Sequence, residues 1–323
     1  MLVTGASGFL GGHVVRELRS HGIEVFAAGR DAARLAAVAD AAHRVPGALA
    51  DLSRLELRVD AVIHCAALSS PWGAWRDFRE ANVEGTQHVV DFAVRTGVRR
   101  IVHVSSPSIY ACAADRIGVR EGEVDEHNRL NGYIRSKIEA EALLRRARAA
   151  GGPEVVIIRP RGLIGAGDPS LVPRLLQVHD RIGIPLFGGG ANLIDVTAVE
   201  NAASALRLTL TDGDGDCGVY NITNGEPRPF RELLLRLLEL SGREPRMRAM
   251  RRRPAWALAA ALERVCSLLP GSPEPPLTRY TLSTIAYSQT LDISRARTEL
   301  GYRPQVSLDD ALRSAAADAG GVR

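Results

Sequence analysis

The chain has 323 residues, of which 46% are hydrophobic, so it is long enough to bury a substantial core as one large domain or two fused lobes. Its net charge is +4, but arginines and acidic residues are interspersed and no nucleic-acid-binding motif appears, which argues against a nucleic-acid partner. The four cysteines are widely spaced, which predicts packed thiols in a reducing, cytoplasmic setting and neither a disulfide framework nor a metal site; they are Cys65, Cys112, Cys217 and Cys266.

The first residues and the longest apolar run bear on targeting. Residues 1–4 read directly as a strand, without a charged segment or cleavage site before them, so we expect no secretory signal. The apolar run over residues 255–269 is interrupted by Glu263 and Arg264 and is too short to cross a bilayer. The sequence therefore predicts no integral membrane segment.

A glycine-rich turn follows the first strand. It reads Gly5-Ala-Ser-Gly-Phe-Leu-Gly11 and leads into a helix over residues 12–20. Strand, GxxGxxG and helix form the context of a phosphate-binding turn, because glycines allow a close backbone approach and the helix N-terminus faces a pyrophosphate. We predict a dinucleotide held by Gly5, Ser7, Gly8, Phe9, Leu10 and Gly11.

The end of the second strand indicates which dinucleotide binds. The strand covers residues 23–28 and is followed by Gly29, Arg30 and Asp31. A carboxylate at the strand end suits the ribose of NAD, whereas a nearby arginine suits the 2′-phosphate of NADP. Arg30 therefore favours NADP, while NAD stays an alternative because Asp31 could turn back toward the ribose.

Strands and helices then alternate up to residue 160. Residues 48–52 close a short third strand, strands follow over 60–67, 100–104 and 154–159, and a helix covers 78–95. Alternating apolar strands and helices predict an α/β fold with a doubly wound parallel sheet of the Rossmann type. Ligands of such sheets bind at the carboxyl ends of strands, where Cys65, Ala66, Ala67, Ser106 and Pro160 fall.

The pattern changes after Pro160. A Gly- and Pro-rich segment, a loop over residues 187–195 and one strand over 218–222 are mixed with helices over 200–210, 230–240, 255–269 and 294–300. We predict a dinucleotide-binding domain over residues 1–160 and a smaller, mostly helical substrate lobe over 161–323. Residues from about 190 to 222 are expected to return and pack on the Rossmann sheet.

The strongest chemical signal is a tyrosine and a lysine four residues apart in a predicted helix. At this spacing the side chains of Tyr133 and Lys137 share one helix face. A cation beside a phenol lowers its pKa, which allows proton exchange with an alcohol or carbonyl near neutral pH. Lys137 is the only lysine in the sequence, since every other Lys/Arg position holds an arginine. The pair is therefore predicted to act in acid/base catalysis, against the alternative of an ordinary solvated helix face.

Together these motifs resemble the extended short-chain dehydrogenase/reductase family, within the NAD(P)-dependent epimerase/dehydratase superfamily. The resemblance rests on the glycine turn, Asp51-Leu52, Ser106-x-x-x-Tyr110, Tyr133-x-x-x-Lys137, Arg159-Pro160 and Leu300-Gly-Tyr-Arg-Pro304. It implies that Tyr133 is the acid/base, Lys137 holds the nicotinamide ribose and Ser106 binds the substrate oxygen, with Ser105 and Ser108 as alternatives. It also implies cofactor contacts from Asp51, Leu52, Asn82, Tyr133, Lys137 and Pro160, and a homodimer formed through the Asn82 and Tyr133 helices as one option.

A late loop separates two branches of this family. Sugar-nucleotide epimerases and dehydratases usually carry an arginine for the diphosphate just before an aspartate there, but here Ile194 precedes Asp195. The segments 164–173 and 192–195 instead resemble the 3-beta-hydroxysteroid dehydrogenase-like branch. Trp72, Trp75 and residues 255–269 are candidates for an apolar pocket, although residues of these types more often form plain core.

The sequence thus predicts an NAD(P)-dependent oxidoreductase that interconverts a secondary alcohol and a ketone on a small, apolar, steroid-like or long-chain 3-keto substrate. One alternative is an NAD-dependent sugar-nucleotide epimerase or dehydratase. A second is a non-catalytic regulator that only binds the cofactor, since a fold does not fix a function.

Overall fold

The computed structural model describes residues 1–210 and 218–320, so Cys217 lies outside the described residues. Its main element is a sheet of seven parallel strands, numbered β1 to β7 in chain order. They are Leu2–Thr4, Phe26–Gly29, Arg44–Pro46, Ala61–His64, Arg100–Val104, Glu154–Pro160 and Val219–Ile222. Their order across the sheet is β7-β6-β5-β4-β1-β2-β3, which confirms the predicted doubly wound parallel sheet.

The α-helices of the described residues are numbered α1 to α12 in chain order. They are Phe9–Ser20, Ala32–Ala36, Trp75–Phe78, Gly85–Thr96, Gly132–Ala149, Leu171–Ile182, Val199–Leu208, Phe230–Leu240, Arg252–Leu268, Arg279–Ile285, Ser294–Glu299 and Leu308–Gly320. Within the described ranges, none of these helices has both the length and the apolar character needed to cross a membrane.

The sheet is covered on both faces because its strands are apolar at consecutive positions. Ile63 and Ile158 enter the core beneath α1 and α7. The residues before them, Val62 and Ile157, point the opposite way and enter the core beneath α4 and α5. Since successive strand residues face opposite sides, an uninterrupted apolar run requires helices on both sides.

The second half of the chain adds small sheets beside this frame. A four-stranded sheet has the order Arg228–Pro229, Leu193–Ile194, Gln289–Leu291 and Arg116–Val119. Two parallel pairs join Leu163–Ile164 to Thr197–Ala198 and Ile184–Phe187 to Met247–Met250. Helices α8 and α12 pack together over a separate apolar core that includes Leu234 and Leu312.

Several elements differ from the sequence-based predictions. The third strand ends at Pro46, and residues 48–52 instead lead into a 3₁₀ helix, Leu49–Arg54, because the Asp51 carboxylate accepts the Ala48 N–H at 2.7 Å and holds a turn. The helix predicted over 78–95 is divided by a π-helical turn, Arg79–Glu84. Helices α2, α6, α10 and α12 were not predicted. The other 3₁₀ turns of the described residues are Ala41–His43, Pro107–Tyr110 and Gly188–Gly190.

Candidate active site

The glycine turn after β1 has no room for a side chain at Gly5 or Gly11. Gly5 adopts a φ of +69°, and a Cβ there would lie 2.7 Å from the Ala66 nitrogen. A Cβ on Gly11 would lie 2.2 Å from the Gly5 carbonyl oxygen. Gly8 donates its N–H to that same oxygen at 2.9 Å and is the N-cap of α1. The turn therefore brings bare backbone and a helix N-terminus together, as a bound pyrophosphate requires.

A cavity of about 1190 Å³ opens beside this turn, at the carboxyl ends of β1, β2 and β4. Nine of the predicted cofactor-binding residues line it, namely Gly5, Ser7, Gly8, Arg30, Asp51, Leu52, Cys65, Ala66 and Ala67. Burial raises the pKa of the Cys65 thiol to about 12, so this lining residue is a neutral thiol rather than a thiolate. The cavity is large enough for a dinucleotide, and its lining suits one.

The remaining predicted cofactor contacts lie outside this cavity. Leu10 is buried in the core beneath α1, so its side chain faces away from the turn opening. Gly11 is enclosed by the turn itself, and Phe9 packs at the edge of the same core. The other four lie in different elements: Asn82 is in the π-helical turn before α4, Tyr133 and Lys137 are in α5, and Pro160 ends β6.

The charged residues that follow β2 differ in whether the turn already engages their side chains. Arg30, Asp31 and Arg34 all line the cavity. The Asp31 carboxylate accepts the Arg34 N–H at 3.0 Å and caps α2, so it is already engaged in the turn. A Cβ on Gly29 would lie 2.6 Å from the Ser7 Oγ, which explains why a larger residue is absent at the strand end.

Asn82 connects the loop after β4 to the Tyr133 helix. Its Oδ1 accepts the Leu68 N–H at 2.7 Å, and its Nδ2 donates to the Leu68 carbonyl oxygen at 3.0 Å and to the Ser136 Oγ at 2.8 Å. Both the donor and the acceptor of the buried amide are thus used by the protein. Asn82 is therefore a positioning residue for the loop that carries Ala66 and Ala67.

Helix α5 delivers Tyr133 from its first turn. Asn131 is the N-cap and accepts the Ile134 N–H at 2.8 Å, which fixes where the helix starts. Gly132 lies against the Phe78 ring, which a Cβ would approach to 2.6 Å. Phe78 and Tyr133 are 6.3 Å apart between ring centroids, and Tyr133 is 7% exposed. The phenol is consequently held inside the protein and not in bulk solvent.

The expected effect of Lys137 on this phenol is not found. Burial raises the pKa of Tyr133, and the facing hydroxyls of Ser106 and Ser69 oppose that rise. The Lys137 ammonium donates to the Val104 carbonyl oxygen at 2.8 Å. The pKa of Tyr133 is therefore raised in this arrangement, contrary to the predicted direction, because burial of the phenol is the largest influence on it.

Lys137 is itself perturbed by its surroundings. Burial lowers its pKa to about 8, while the negative charge of Glu141 acts in the opposite direction. The group is therefore a buried cation close to its titration range, at the base of the cleft. An ammonium has three N–H donors, so the bond to the Val104 carbonyl oxygen does not use all of them.

The three candidate serines have different environments. Ser106 is half-buried, faces Tyr133 and accepts the Ser108 N–H at 3.2 Å. Ser105 donates to the Glu141 Oε1 at 2.6 Å on the other side of the strand end, so it points away from the phenol. Ser108 is buried, and its Oγ has no hydrogen-bond partner. Of the three candidates, Ser106 is therefore the one that faces the Tyr133 hydroxyl, and it is joined there by Ser69, which was not predicted.

The Arg159-Pro160 motif has a structural role in this protein. Arg159 donates through Nε and Nη2 to the Glu141 carboxylate at 2.8 and 2.6 Å, and through Nη1 to the Tyr110 hydroxyl at 2.5 Å. Tyr110 in turn donates to the Asn221 Oδ1 at 2.9 Å. Because Glu141 lies one helical turn after Lys137, this buried network fixes α5 against the ends of β5, β6 and β7.

Two further polar residues near Tyr133 were not identified from the sequence. Tyr280, from α10, interacts electrostatically with the phenol of Tyr133 and with the guanidinium of Arg161. Arg161 directly follows the Arg159-Pro160 motif, so its position could have been read from the sequence. Tyr280 carries no local signal, because it reaches the site only through the packing of the second half of the chain.

The predicted pocket tryptophans have distinct roles. Trp72 donates its Nε1–H to the Ser272 carbonyl oxygen at 2.9 Å and lines an open cleft together with Ala260 and Ala261 of α9. Trp75 lies beneath the Arg135 guanidinium, 3.7 Å from its carbon to the ring centroid. Of the residues predicted to form a pocket, Trp72 and part of α9 therefore line a cleft beside the start of the Tyr133 helix, whereas Trp75 does not.

Comparison with known proteins agrees with this architecture. The family model described as the NAD dependent epimerase/dehydratase family matches residues 1–223. The chain belongs to this family, which confirms the predicted relationship to the extended short-chain dehydrogenases/reductases.

Individual relatives extend the comparison to the second half of the chain. The chain is 34% identical to a 2-alkyl-3-oxoalkanoate reductase of Stenotrophomonas maltophilia, covering 97% of each. It is 30% identical to a decarboxylating sterol-4-alpha-carboxylate 3-dehydrogenase of Schizosaccharomyces pombe, covering 97% of this chain and 95% of that one. Among solved structures, it resembles MoeE5 in complex with UDP-glucuronic acid and NAD, with 26% identity, a TM-score of 0.75 and coverage of 98% and 97%.

Proposed function

We propose that this protein is an NAD(P)-dependent oxidoreductase that interconverts a secondary alcohol and a ketone on a largely apolar substrate. The observation that carries the proposal is the buried phenol of Tyr133, faced by the hydroxyls of Ser106 and Ser69 and one helical turn before the sole lysine. The reductase and dehydrogenase names of the two relatives above support the same reaction class. The shape of the glycine turn supports a dinucleotide as the redox partner.

The nicotinamide supplies or accepts the hydride when it is bound. In the reductive direction Tyr133 donates its proton to the carbonyl oxygen, and in the oxidative direction the phenolate accepts the proton of the hydroxyl. Ser106 donates a hydrogen bond to the same oxygen and holds it toward Tyr133. Lys137 donates to the ribose through an N–H that the Val104 carbonyl does not use, and its charge stabilises the phenolate that burial alone disfavours.

We propose NADP as the preferred cofactor. Arg30 and Arg34 line the ribose end of the cavity, while the Asp31 carboxylate caps α2 and is engaged with the Arg34 N–H. A 2′-phosphate would find two guanidinium groups there, whereas a ribose 2′-hydroxyl would find the single carboxylate already used.

The experiment is a cofactor titration followed by a substrate screen. The purified protein is titrated with NADPH and NADH, and then assayed at the nicotinamide absorbance with ketones and secondary alcohols from steroid-like to long-chain 3-keto compounds. We expect tighter binding of NADPH and turnover of at least one apolar substrate. Binding of neither cofactor, or turnover of none of these compounds, would overturn the proposal.

A sugar-nucleotide epimerase is the second candidate, because the solved structure with UDP-glucuronic acid has the same fold. Ile194 stands just before Asp195, where that branch usually has its diphosphate-binding arginine. Turnover of a UDP-sugar with no net change in cofactor absorbance would favour this candidate. Cofactor binding without any turnover would favour a regulator.

Assembly and location are further predictions. We propose a homodimer formed through α4 and α5, which lie side by side over one face of the sheet. In size-exclusion chromatography the protein is then expected to elute at twice the monomer mass. We also propose that the protein acts in the cytoplasm with free thiols at Cys65, Cys112 and Cys266.

A further inference from the structure

A buried arginine with unused donors lies at the carboxyl end of β6. Arg161 directly follows Pro160 and is 7% exposed. Among the described residues, Gln289 alone accepts a hydrogen bond from the guanidinium, through Nη1. Its Nε is buried and has no partner. A guanidinium offers five N–H donors, and the bond to Gln289 uses one of them, so donors remain for a ligand.

Asp195 is the acidic residue that influences Arg161, but it does not pair with it. The Asp195 Oδ2 accepts the Leu291 N–H at 2.7 Å, whereas its Oδ1 has no partner. Burial raises the pKa of Asp195 to about 6. A carboxylate in a direct ion pair would have a lowered pKa, so this direction agrees with the absence of an Arg161–Asp195 ion pair within the described residues.

The open guanidinium is on the same side of the cleft as the catalytic phenol. Tyr280 is the connecting residue, because its ring packs against the cluster that contains Ile109 and Ile134, and its hydroxyl interacts electrostatically with both Tyr133 and Arg161. The Ser108 hydroxyl is buried and faces the Tyr280 hydroxyl. Arg161, Tyr280 and Ser108 thus present one cation and two hydroxyl donors next to Tyr133.

This donor set suits a carboxylate. A guanidinium matches the two oxygens of a carboxylate in a bidentate geometry, and neutral hydroxyls donate to the same oxygens without competing charge. In a 3-oxo or 3-hydroxy acid the carboxyl carbon is two bonds from the reacting carbon. A carboxylate bound by Arg161 would therefore bring the 3-oxygen toward Tyr133.

We infer that Arg161, assisted by Tyr280 and Ser108, binds the carboxylate of a 3-oxo or 3-hydroxy acid while Tyr133 exchanges a proton with the 3-oxygen. This inference rests on the proposed oxidoreductase function and adds the charged end of the substrate to it. The apolar chain of the acid would extend away from the polar cluster. Arg161 then selects acids over esters and simple alcohols with the same chain.

The test compares a medium-chain 3-hydroxy acid with its methyl ester, in the oxidative direction, with NADP⁺ and NAD⁺. The ester keeps the reacting carbon and the chain but removes the negative charge. We expect the wild-type protein to prefer the acid in kcat/KM. In Arg161→Gln the acid-to-ester ratio should fall about 10- to 100-fold, as expected for a lost charge-assisted contact. Arg161→Lys should recover part of the ratio because it keeps the charge but not the fork.

Arg120→Gln is the matched control, because Arg120 is an exposed arginine that pairs with Asp292 on the surface. Its acid-to-ester ratio should equal that of the wild type. An equal loss on acid and ester in Arg161→Gln would overturn the inference. If that variant does not fold, Tyr280→Phe and Ser108→Ala replace it, and an unchanged ratio in both overturns the inference.

The outcomes also separate this inference from the proposed function. Wild-type turnover of both compounds with equal kcat/KM would leave the oxidoreductase function intact and remove the carboxylate site. Turnover of neither acid nor ester nor any other alcohol would instead remove the proposed function itself.

Discussion

Glu141 binds Arg159 through both of its carboxylate oxygens, and both side chains are almost completely buried behind the Tyr133 helix. The Nη1 of Arg159 also donates to the Tyr110 hydroxyl and to the Glu121 carbonyl oxygen. Unlike Arg161, Arg159 therefore has protein acceptors around its guanidinium. This pair holds α5 in the orientation in which Tyr133 and Lys137 face the cleft. We therefore expect its main contribution to be the positioning of the Tyr133 helix.

Glu141→Gln should destabilise the protein by about 3 to 5 kcal/mol, because it leaves the buried Arg159 cation without its counter-charge. The measurement is the free energy of unfolding in urea. Glu139→Gln on the same helix is the control, since Glu139 pairs with Arg135 near the surface and should cost less than about 1 kcal/mol. Equal effects of the two substitutions would contradict the positioning role.

Tyr133→Phe should lower kcat by at least about 10²-fold, because it removes the group that exchanges the proton. Cofactor affinity should stay close to that of the wild type, since the glycine turn and the cavity lining are untouched. Steady-state kinetics and a fluorescence titration with NADPH measure the two quantities. Tyr220→Phe, whose hydroxyl donates to Glu299 far from the cleft, should keep wild-type turnover. A Tyr133→Phe variant with wild-type kcat would eliminate the proposed mechanism.

Arg30→Ala should reduce the preference for NADPH over NADH by about tenfold, since it removes a charge-assisted partner of the 2′-phosphate. The dissociation constants of both cofactors are measured by titration. Arg58→Ala removes an exposed arginine outside the cavity lining and should leave the ratio unchanged. The NADP assignment fails if Arg30→Ala weakens both cofactors to the same degree.

Asp195 should make stability depend on pH in a specific direction. Its folded-state pKa of about 6 lies above its ordinary value of 3.8. Its contribution to the free energy of unfolding is therefore fully present below pH 3.8 and is lost as the pH rises through about 6. Asp195→Asn should remove this dependence and keep the acceptor for the Leu291 N–H. The difference in unfolding free energy between wild type and variant should change by about 3 kcal/mol between pH 4 and 7, at about 1.4 kcal/mol per pKa unit.

The control is Asp91→Asn, an exposed position that hydrogen-bonds Gln87. Its stability should follow the wild-type pH curve in parallel. A flat difference between wild type and Asp195→Asn across this range would show that the buried carboxyl is not perturbed.

The sequence predicted the main sheet and many of its helices because short runs of neighbouring residues specify these elements. The strand Arg100–Val104 and the helix Phe230–Leu240 have the predicted bounds, since each is an apolar run of the appropriate period between clear breaks. The glycine turn and the Tyr133 helix were likewise recognisable, because their chemistry depends on spacing within one element.

Features that depend on distant packing were not predicted. Tyr280 approaches Tyr133 only because α10 folds back over the cleft, and no motif precedes it. The predicted direction of the Tyr133 pKa was wrong because helical spacing places Lys137 on the same face but does not show how deeply the phenol is buried. The third strand was misplaced because the hydrogen bond from Ala48 to Asp51 competes with strand pairing.

The return of the chain to β7 has a consequence for fragments of this protein. β7 pairs with the outer edge of β6, and Asn221 within it accepts from Tyr110 of the first half. A polypeptide ending near residue 160 would expose the full length of β6 as an unpaired edge and leave Tyr110 and the surface of α1 uncovered. Such a fragment is expected to aggregate instead of folding by itself, even though it contains the glycine turn and the Tyr133 helix.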